Sequence, residues 1–179
     1  MNLIETQIES QTVYRGAFID VFQDVVHLPN GQTANRIVVR HPGAACVLAI
    51  TAEQQAVLVR QWRYPTGTAL LELPAGKLDI KGEDPKNCAL RELAEETPYT
   101  AENAVLLQTF YTAPGFCDEK MYLYYAENIV KNSQLNADDD EILECVLMNK
   151  DEVRHAIQNG EIQDAKTLIG LQYWLNQAA

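Results

Sequence analysis

Basic residues are scarce in this 179-residue chain. Fourteen Lys and Arg stand against 25 Asp and Glu, a formal net charge of −11. A nucleic-acid backbone is held by a Lys/Arg surface that displaces its counterions, so this balance argues against a nucleic-acid partner. It also sets a requirement, because an anionic substrate needs a cation to mediate its approach to so acidic a protein. Cysteine is sparse as well: Cys46, Cys88, Cys117 and Cys145 are widely spaced and form no CxxC pair. Free thiols in a reducing cytoplasm are the expectation. The N-terminal MNLIETQIES has no basic segment followed by an apolar one, so no signal peptide is expected. The longest uncharged run, near PGAACVLAITA, is too short to span a membrane. Neither GxGxxG nor GxxxxGK(S/T) occurs, which counts against a dinucleotide fold and a P-loop. Repeats, linkers and low-complexity tracts are also lacking. These absences describe a cytoplasmic protein with no membrane partner.

What is present fits a globular chain, 47% hydrophobic and 22% charged. At this length folding buries roughly 70% of the unfolded surface without help from disulfides or a structural metal. Residues 11–28 alternate apolar and β-forming side chains, Asn30-Gly31 is a turn pair, and residues 36–40 are β-rich, which predicts a hairpin or meander. Residues 45–50 suit a strand buried on both faces. Residues 56–62 and 69–73 read as further strands, the latter ending in a Pro74-Ala75-Gly76 turn. Strands are expected near 105–111, 120–126 and 142–148, and helices over 151–158 and 165–174. The order predicts an α+β fold with a mixed sheet.

Between these lies an acidic helix. Asp84 can cap it, and Pro85 fits its first position. Ala89, Leu90, Leu93 and Ala94 give it an apolar face, and Pro98 ends it. Glu92, Glu95 and Glu96 project together near its C-terminus, where they repel one another and the helix dipole. A hard cation such as Mg²⁺ or Mn²⁺ offsets that repulsion. The plain alternative is a solvated acidic face with Arg91 paired to Glu95.

The stretch from Gly76 to Tyr99 resembles the Nudix box, G-x5-E-x7-R-E-U-x-E-E-x-G-U, through Glu83, Arg91, Glu92, Leu93, Glu95 and Glu96. It departs twice. Gly76 stands seven positions before Glu83 instead of six, and Pro98 replaces a glycine, with Tyr99 at the apolar position after it. The resemblance implies metal ligation by Glu92 and Glu96, with Glu95 as a further or alternative ligand and the Ala75 carbonyl as another. It implies a structural pairing of Glu83 with Arg91 behind Gly76.

Further segments, 40–44, 60–64, 72–76, 111–116 and 164–167, resemble bacterial ADP-ribose pyrophosphatases. The fold implied is a Nudix α/β/α sandwich over residues 43–179, preceded by an antiparallel β-meander over 1–42. The activity implied is Mg²⁺-dependent hydrolysis of ADP-ribose to AMP and ribose 5-phosphate, with Mn²⁺ as a possible substitute. Another nucleoside diphosphate sugar, a dinucleotide, or a non-catalytic nucleotide sensor are the alternatives. Arg63, Arg40, Glu72, Gly115, Phe116 and Glu119 stand at candidate substrate-binding positions, and Glu92 and Glu96 join the catalytic set through the metal. Glu141 is the first choice for the general base, then Asp140, with Glu119 a further candidate; a solvated acidic loop is the alternative for residues 138–141. Trp62, Tyr14, Phe18 and Phe116 are candidates for an aromatic shelf under the base, or else core. A homodimer with exchanged N-terminal strands is implied as well.

Overall fold

Alternation along one short apolar run sets the layering of the larger part of the molecule. In the computed structural model, which describes residues 2–132 and 142–177, Ala44–Ala49 is a strand whose six residues are all buried. Successive side chains of a strand point to opposite faces. Ala44, Cys46 and Leu48 accordingly join one apolar cluster with Leu71, Leu73, Leu123, Val153, Leu171 and Trp174. Ala45, Val47 and Ala49 join another with Cys88, Ala89, Leu93 and Tyr124. Helices therefore cover both faces of this strand, which is the α/β/α arrangement expected.

In chain order the strands are β1 (Thr6–Arg15), β2 (Asp20–His27), β3 (Thr33–Arg40), β4 (Ala44–Ala49), β5 (Gln55–Arg63), β6 (Thr68–Glu72) and β7 (Ala75–Lys77). Helix α1 (Pro85–Glu96) follows, then β8 (Tyr99–Thr100), β9 (Val105–Tyr111), β10 (Lys120–Ala126), β11 (Val130–Lys131) and β12 (Leu143–Asn149). Helices α2 (Lys150–Gln158) and α3 (Ala165–Asn176) close the described chain. The sheets run β1-β2-β3, β7-β4-β10-β9, β11-β8 and β12-β5-β6. Pairing of β4 with β10 is parallel and that of β4 with β7 antiparallel, so the central sheet is mixed. No helix among the described residues is long and apolar enough to cross a membrane.

Two compact units are present. The first is Met1–Gly43 with Tyr111–Lys120, and the second is Ala44–Phe110 with Met121–Ala179. In the first, the 11–28 run is not one strand. It reverses at Gly16, whose N–H donates to Ile19 O at 2.8 Å, and gives β1 and β2. All ten residues of β1 are exposed. Asp24 of β2 is buried and accepts from Ser10 Oγ at 2.6 Å and Gln7 Nε2 at 3.1 Å.

In the second unit, the expected Pro74-Ala75-Gly76 turn is instead the entry to β7. Cys46, Ala45 and Ala44 pair with Ala75, Gly76 and Lys77. Three residues with a glycine at the centre carry no β signal of their own, and the pairing with β4 imposes the conformation. The two-residue strands β8 and β11 escape a sequence reading because two residues are too few to show an alternation.

Candidate active site

Helix α1 begins as its sequence dictates. The Asp84 carboxylate accepts from Lys86 N at 2.8 Å, and Pro85 occupies the first turn, where no N–H is needed. It ends without the left-handed glycine common at helix ends. Thr97 is extended (φ −139°, ψ 160°), and its Oγ1 donates to Leu93 O at 2.6 Å. Pro98 then leads directly into β8. The substituted proline thus goes with an extended exit that Thr97 caps.

Arg91 gathers the box acids. Its Nε and Nη2 donate to the two oxygens of Glu83 at 3.0 and 3.1 Å. Its Nη1 lies 2.8 Å from Glu92 Oε1 and 2.7 Å from Glu95 Oε2. The forked bond to Glu83, set against burial, raises the arginine pKa further above its ordinary value. The extra residue in the loop before Glu83 does not break this fork; Gly82 (φ +83°) supplies a left-handed bend that a side chain would strain. Beneath the loop, Cys88 Sγ lies 3.5 Å from Lys77 O and 3.7 Å from Gly76 O. Burial, then the Glu92 charge, pushes this thiol up to about 12, so it stays protonated and unreactive.

Glu92 and Glu96, one turn apart, both meet β7. Ala75 N–H donates to Glu96 Oε2 at 3.0 Å, and Glu96 is 7% exposed. Glu92 lies over Gly76 so closely that a Cβ there would stand 1.8 Å from its Oε1. The box glycine is therefore a seat for a carboxylate, not a turn.

A second ionic cluster lies just before β7. Glu72 is 2% exposed. Arg63 donates to it twice, Nε to Oε1 at 2.7 Å and Nη2 to Oε2 at 2.8 Å. Lys166 Nζ also donates to Glu72 Oε2 and lies 3.1 Å from Asp164 Oδ2. Burial alone would raise the Glu72 carboxyl, but the Arg63 hydrogen bonds and the Lys166 charge outweigh it and hold the group at about 2. Burial would likewise lower Lys166, and Asp164 and Glu72 raise it instead.

The chain has counterparts among known proteins. The NUDIX domain family matches residues 39–169, and the nucleoside diphosphate sugar hydrolase N-terminal domain matches residues 5–39. This chain belongs to the Nudix family. It is 43% identical to a methanol dehydrogenase activator of Bacillus methanolicus over 98% of this chain and 95% of that protein. It is 40% identical to an ADP-ribose pyrophosphatase of Bacillus subtilis (strain 168) over 96% and 93% of the two chains. A crystal structure of an ADP compounds hydrolase shares the fold, with a TM-score of 0.82 at 22% identity over 98% of this chain and 96% of that one.

Nudix hydrolases in general need a divalent metal. The donor set of this Nudix box fits such an ion in kind. Glu92, Glu95, Glu96 and the Ala75 carbonyl are hard oxygen donors, and the bare Cα of Gly76 leaves room for the Glu92 carboxylate. Among the described residues, no three His, Cys, Asp or Glu side chains converge as a formed ligand set. The Arg91 guanidinium instead bridges Glu92 and Glu95.

The other predicted positions fall into separate groups. Arg63 and Glu72 are brought together. In the first unit, Arg40, Gly115 and Phe116 line a recess of about 410 Å³ with Arg36, Ile37 and Tyr111. There Arg40 Nη1 pairs with Asp118 Oδ2 at 2.9 Å. Glu119, in the same unit, accepts from Thr112 Oγ1 at 2.5 Å and lies 3.7 Å from His41 Nδ1, outside the recess lining. Glu141 and Asp140 lie outside the described residues. Tyr14, Phe18, Trp62 and Phe116 are 47–61% exposed, so the core alternative for these aromatics is overturned. Sequence reasoning gave no role to Asp164, Lys166 or Thr167. Asp164 carries a visible signal as the cap of α3, accepting from Thr167 N at 3.0 Å. The bonds that Lys166 donates to Glu72 and that Thr167 accepts from Leu73 N–H each cross 94 residues and carry no local signal.

Proposed function

We propose that this Nudix protein is a cytoplasmic enzyme that hydrolyses ADP-ribose to AMP and ribose 5-phosphate with Mg²⁺, for which Mn²⁺ can substitute. The observation that carries the reading is the seating of Glu92 and Glu96 against Gly76 and Ala75. Two acids of α1 thus lie against β7, while Arg91 offsets the charge of Glu83, Glu92 and Glu95. Glu92, Glu96 and the Ala75 carbonyl would hold the metal, with Glu95 as a further ligand. When bound, the ion neutralises phosphate oxygens and orients a water. Arg63 contributes a positive fork to the diphosphate or ribose, and Glu141 takes the proton of the attacking water, with Asp140 or Glu119 as alternatives. Water adds to one phosphorus as the bridging P–O bond breaks, giving the two monophosphates. Arg40, Gly115 and Phe116 line a recess of the first unit, where exposed Phe116 offers a nucleoside a stacking face.

The N-terminal strands serve dimerisation. All of β1 is exposed, including Ile8, Val13 and Tyr14, and a second copy of the chain would cover them. Sedimentation at micromolar concentration should give a dimer.

A second enzymatic reading, another nucleoside diphosphate sugar, is supported by the match of residues 5–39. Incubation with a panel of nucleoside diphosphate derivatives and Mg²⁺ separates the readings by the monophosphate released. ADP-ribose should be turned over with the highest kcat/KM. Saturable binding with no turnover of any member would instead mark a nucleotide sensor.

A further inference from the structure

One group of buried charges remains without a role in that reaction. Lys166 has 8% of its side chain exposed and Glu72 has 3%, whereas Arg63 has 40%. The Glu72 carboxylate takes Nε and Nη2 of Arg63 and Nζ of Lys166. Arg63 Nη1 is not among the atoms that Glu72 occupies.

Lys166 is itself fixed from several sides. Asp164 caps α3 and accepts from Thr167 Oγ1 at 2.6 Å. Thr167 Oγ1 accepts from Leu73 N–H at 2.8 Å. One turn on, a Cβ at Gly170 would stand 2.7 Å from Leu73 Cδ1, so α3 sits directly on the residue after Glu72. Apolar residues can replace buried ion pairs with little loss of stability, so packing alone does not call for this cluster. One guanidinium already neutralises one carboxylate. The second cation changes what Arg63 has left to offer: Arg63, Lys166, Glu72 and Asp164 sum to zero, and without Lys166 they sum to one net negative charge beside the acidic box.

We propose that Lys166 is a positioning residue for the substrate, holding Glu72 so that Glu72 aims the Arg63 guanidinium at the diphosphate. The inference rests on the reading of Arg63 as a substrate contact. Lys166 touches neither substrate nor metal; it acts through Glu72, and its loss weakens substrate binding more than the chemical step.

The test is a double-mutant cycle of Arg63→Met and Lys166→Met, with KM and kcat for ADP-ribose measured in Mg²⁺. A charge-assisted hydrogen bond is worth about tenfold or more in binding. Each single variant should raise KM by about tenfold, with kcat within about threefold of wild type. The double variant should be no worse than Arg63→Met alone, because Lys166 works through Arg63. The same pattern should appear as a shift in calorimetric Kd for α,β-methylene ADP-ribose, a diphosphate that cannot be hydrolysed. Thermal unfolding checks that each variant is folded. Lys166→Gln, which keeps a donor for Glu72 but loses the charge, replaces the methionine variant in the cycle if that one is not. A wild-type KM and Kd for the Lys166 variant, or single effects that multiply in the double variant, overturns the inference and leaves Arg63 in the site. A wild-type KM and Kd for Arg63→Met removes Arg63 from the site and overturns both readings.

Discussion

Arg91 and Arg63 each bind a buried or half-buried carboxylate through a two-bond fork, yet they are organised in opposite ways. Arg91 draws its partners from its own neighbourhood: Glu83 eight residues before it, Glu92 next to it and Glu95 one turn on. Three acids converge on one guanidinium, which holds the loop and offsets their mutual repulsion. Arg63 shares a single acid, Glu72, with Lys166, which lies 94 residues beyond that acid. There two cations converge on one carboxylate, and Arg63 remains 40% exposed. The difference lies in what each guanidinium has left: Arg91 is taken up by three acids, whereas Arg63 shares one acid with Lys166 and is the arginine proposed to meet the substrate.

Substitutions at the two clusters sharpen this contrast. The largest effect belongs to Glu92→Gln, which removes a charge proposed to face the metal and leaves the helix unchanged. Its kcat should fall by roughly a hundredfold or more while circular dichroism stays that of wild type. Next is Gly76→Ala. The added methyl would stand 1.8 Å from Glu92 Oε1, so the carboxylate must leave its seat. Mn²⁺ affinity, read by electron paramagnetic resonance, should weaken by about tenfold. Glu83→Gln takes one charge from the Arg91 fork without touching Glu92 or Glu96. It should cost about 1–3 kcal/mol in urea unfolding and less activity than either change above.

The smallest effect is a pH dependence that belongs to the Arg63 cluster. The folded Glu72 pKa of about 2 lies below the ordinary 4.5, so the unfolded chain binds the proton first. This contribution to stability is complete above pH 4.5 and is lost as the pH falls toward 2. Glu72→Gln should therefore flatten the decline in urea midpoint over that interval relative to wild type.

The same contrast explains what could be read from the chain. The Arg91–Glu95 pair, the Asp84 cap, Pro85 and the doubly buried β4 depend on neighbours in sequence, through helical spacing or an uninterrupted apolar run, and were legible from the residues, whereas the Glu83–Arg91 pair was legible only through the resemblance to the Nudix box. Strand β7 was not, because Ala75-Gly76-Lys77 is extended through pairing with Ala44–Cys46 and not through any β preference of its own. Lys166 was not legible either. Beside Asp164 it reads as an ordinary first-turn lysine, and only the packing of α3 onto Leu73 brings it to Glu72. Nor could the sequence separate shelf from core for Trp62 and Phe116, since an aromatic in a β-rich run serves either; their exposure rules out the core.

The metal-dependent reaction is tested most directly by release of AMP and ribose 5-phosphate from ADP-ribose by wild type and by Glu96→Gln, each with Mg²⁺ and after removal of divalent metal by chelation. Wild type should release both products in equal amounts with Mg²⁺ and neither without it. Glu96→Gln, still folded, should be slower by orders of magnitude at every Mg²⁺ concentration. Near-wild-type turnover by Glu96→Gln, or equal wild-type rates with and without metal, would contradict it.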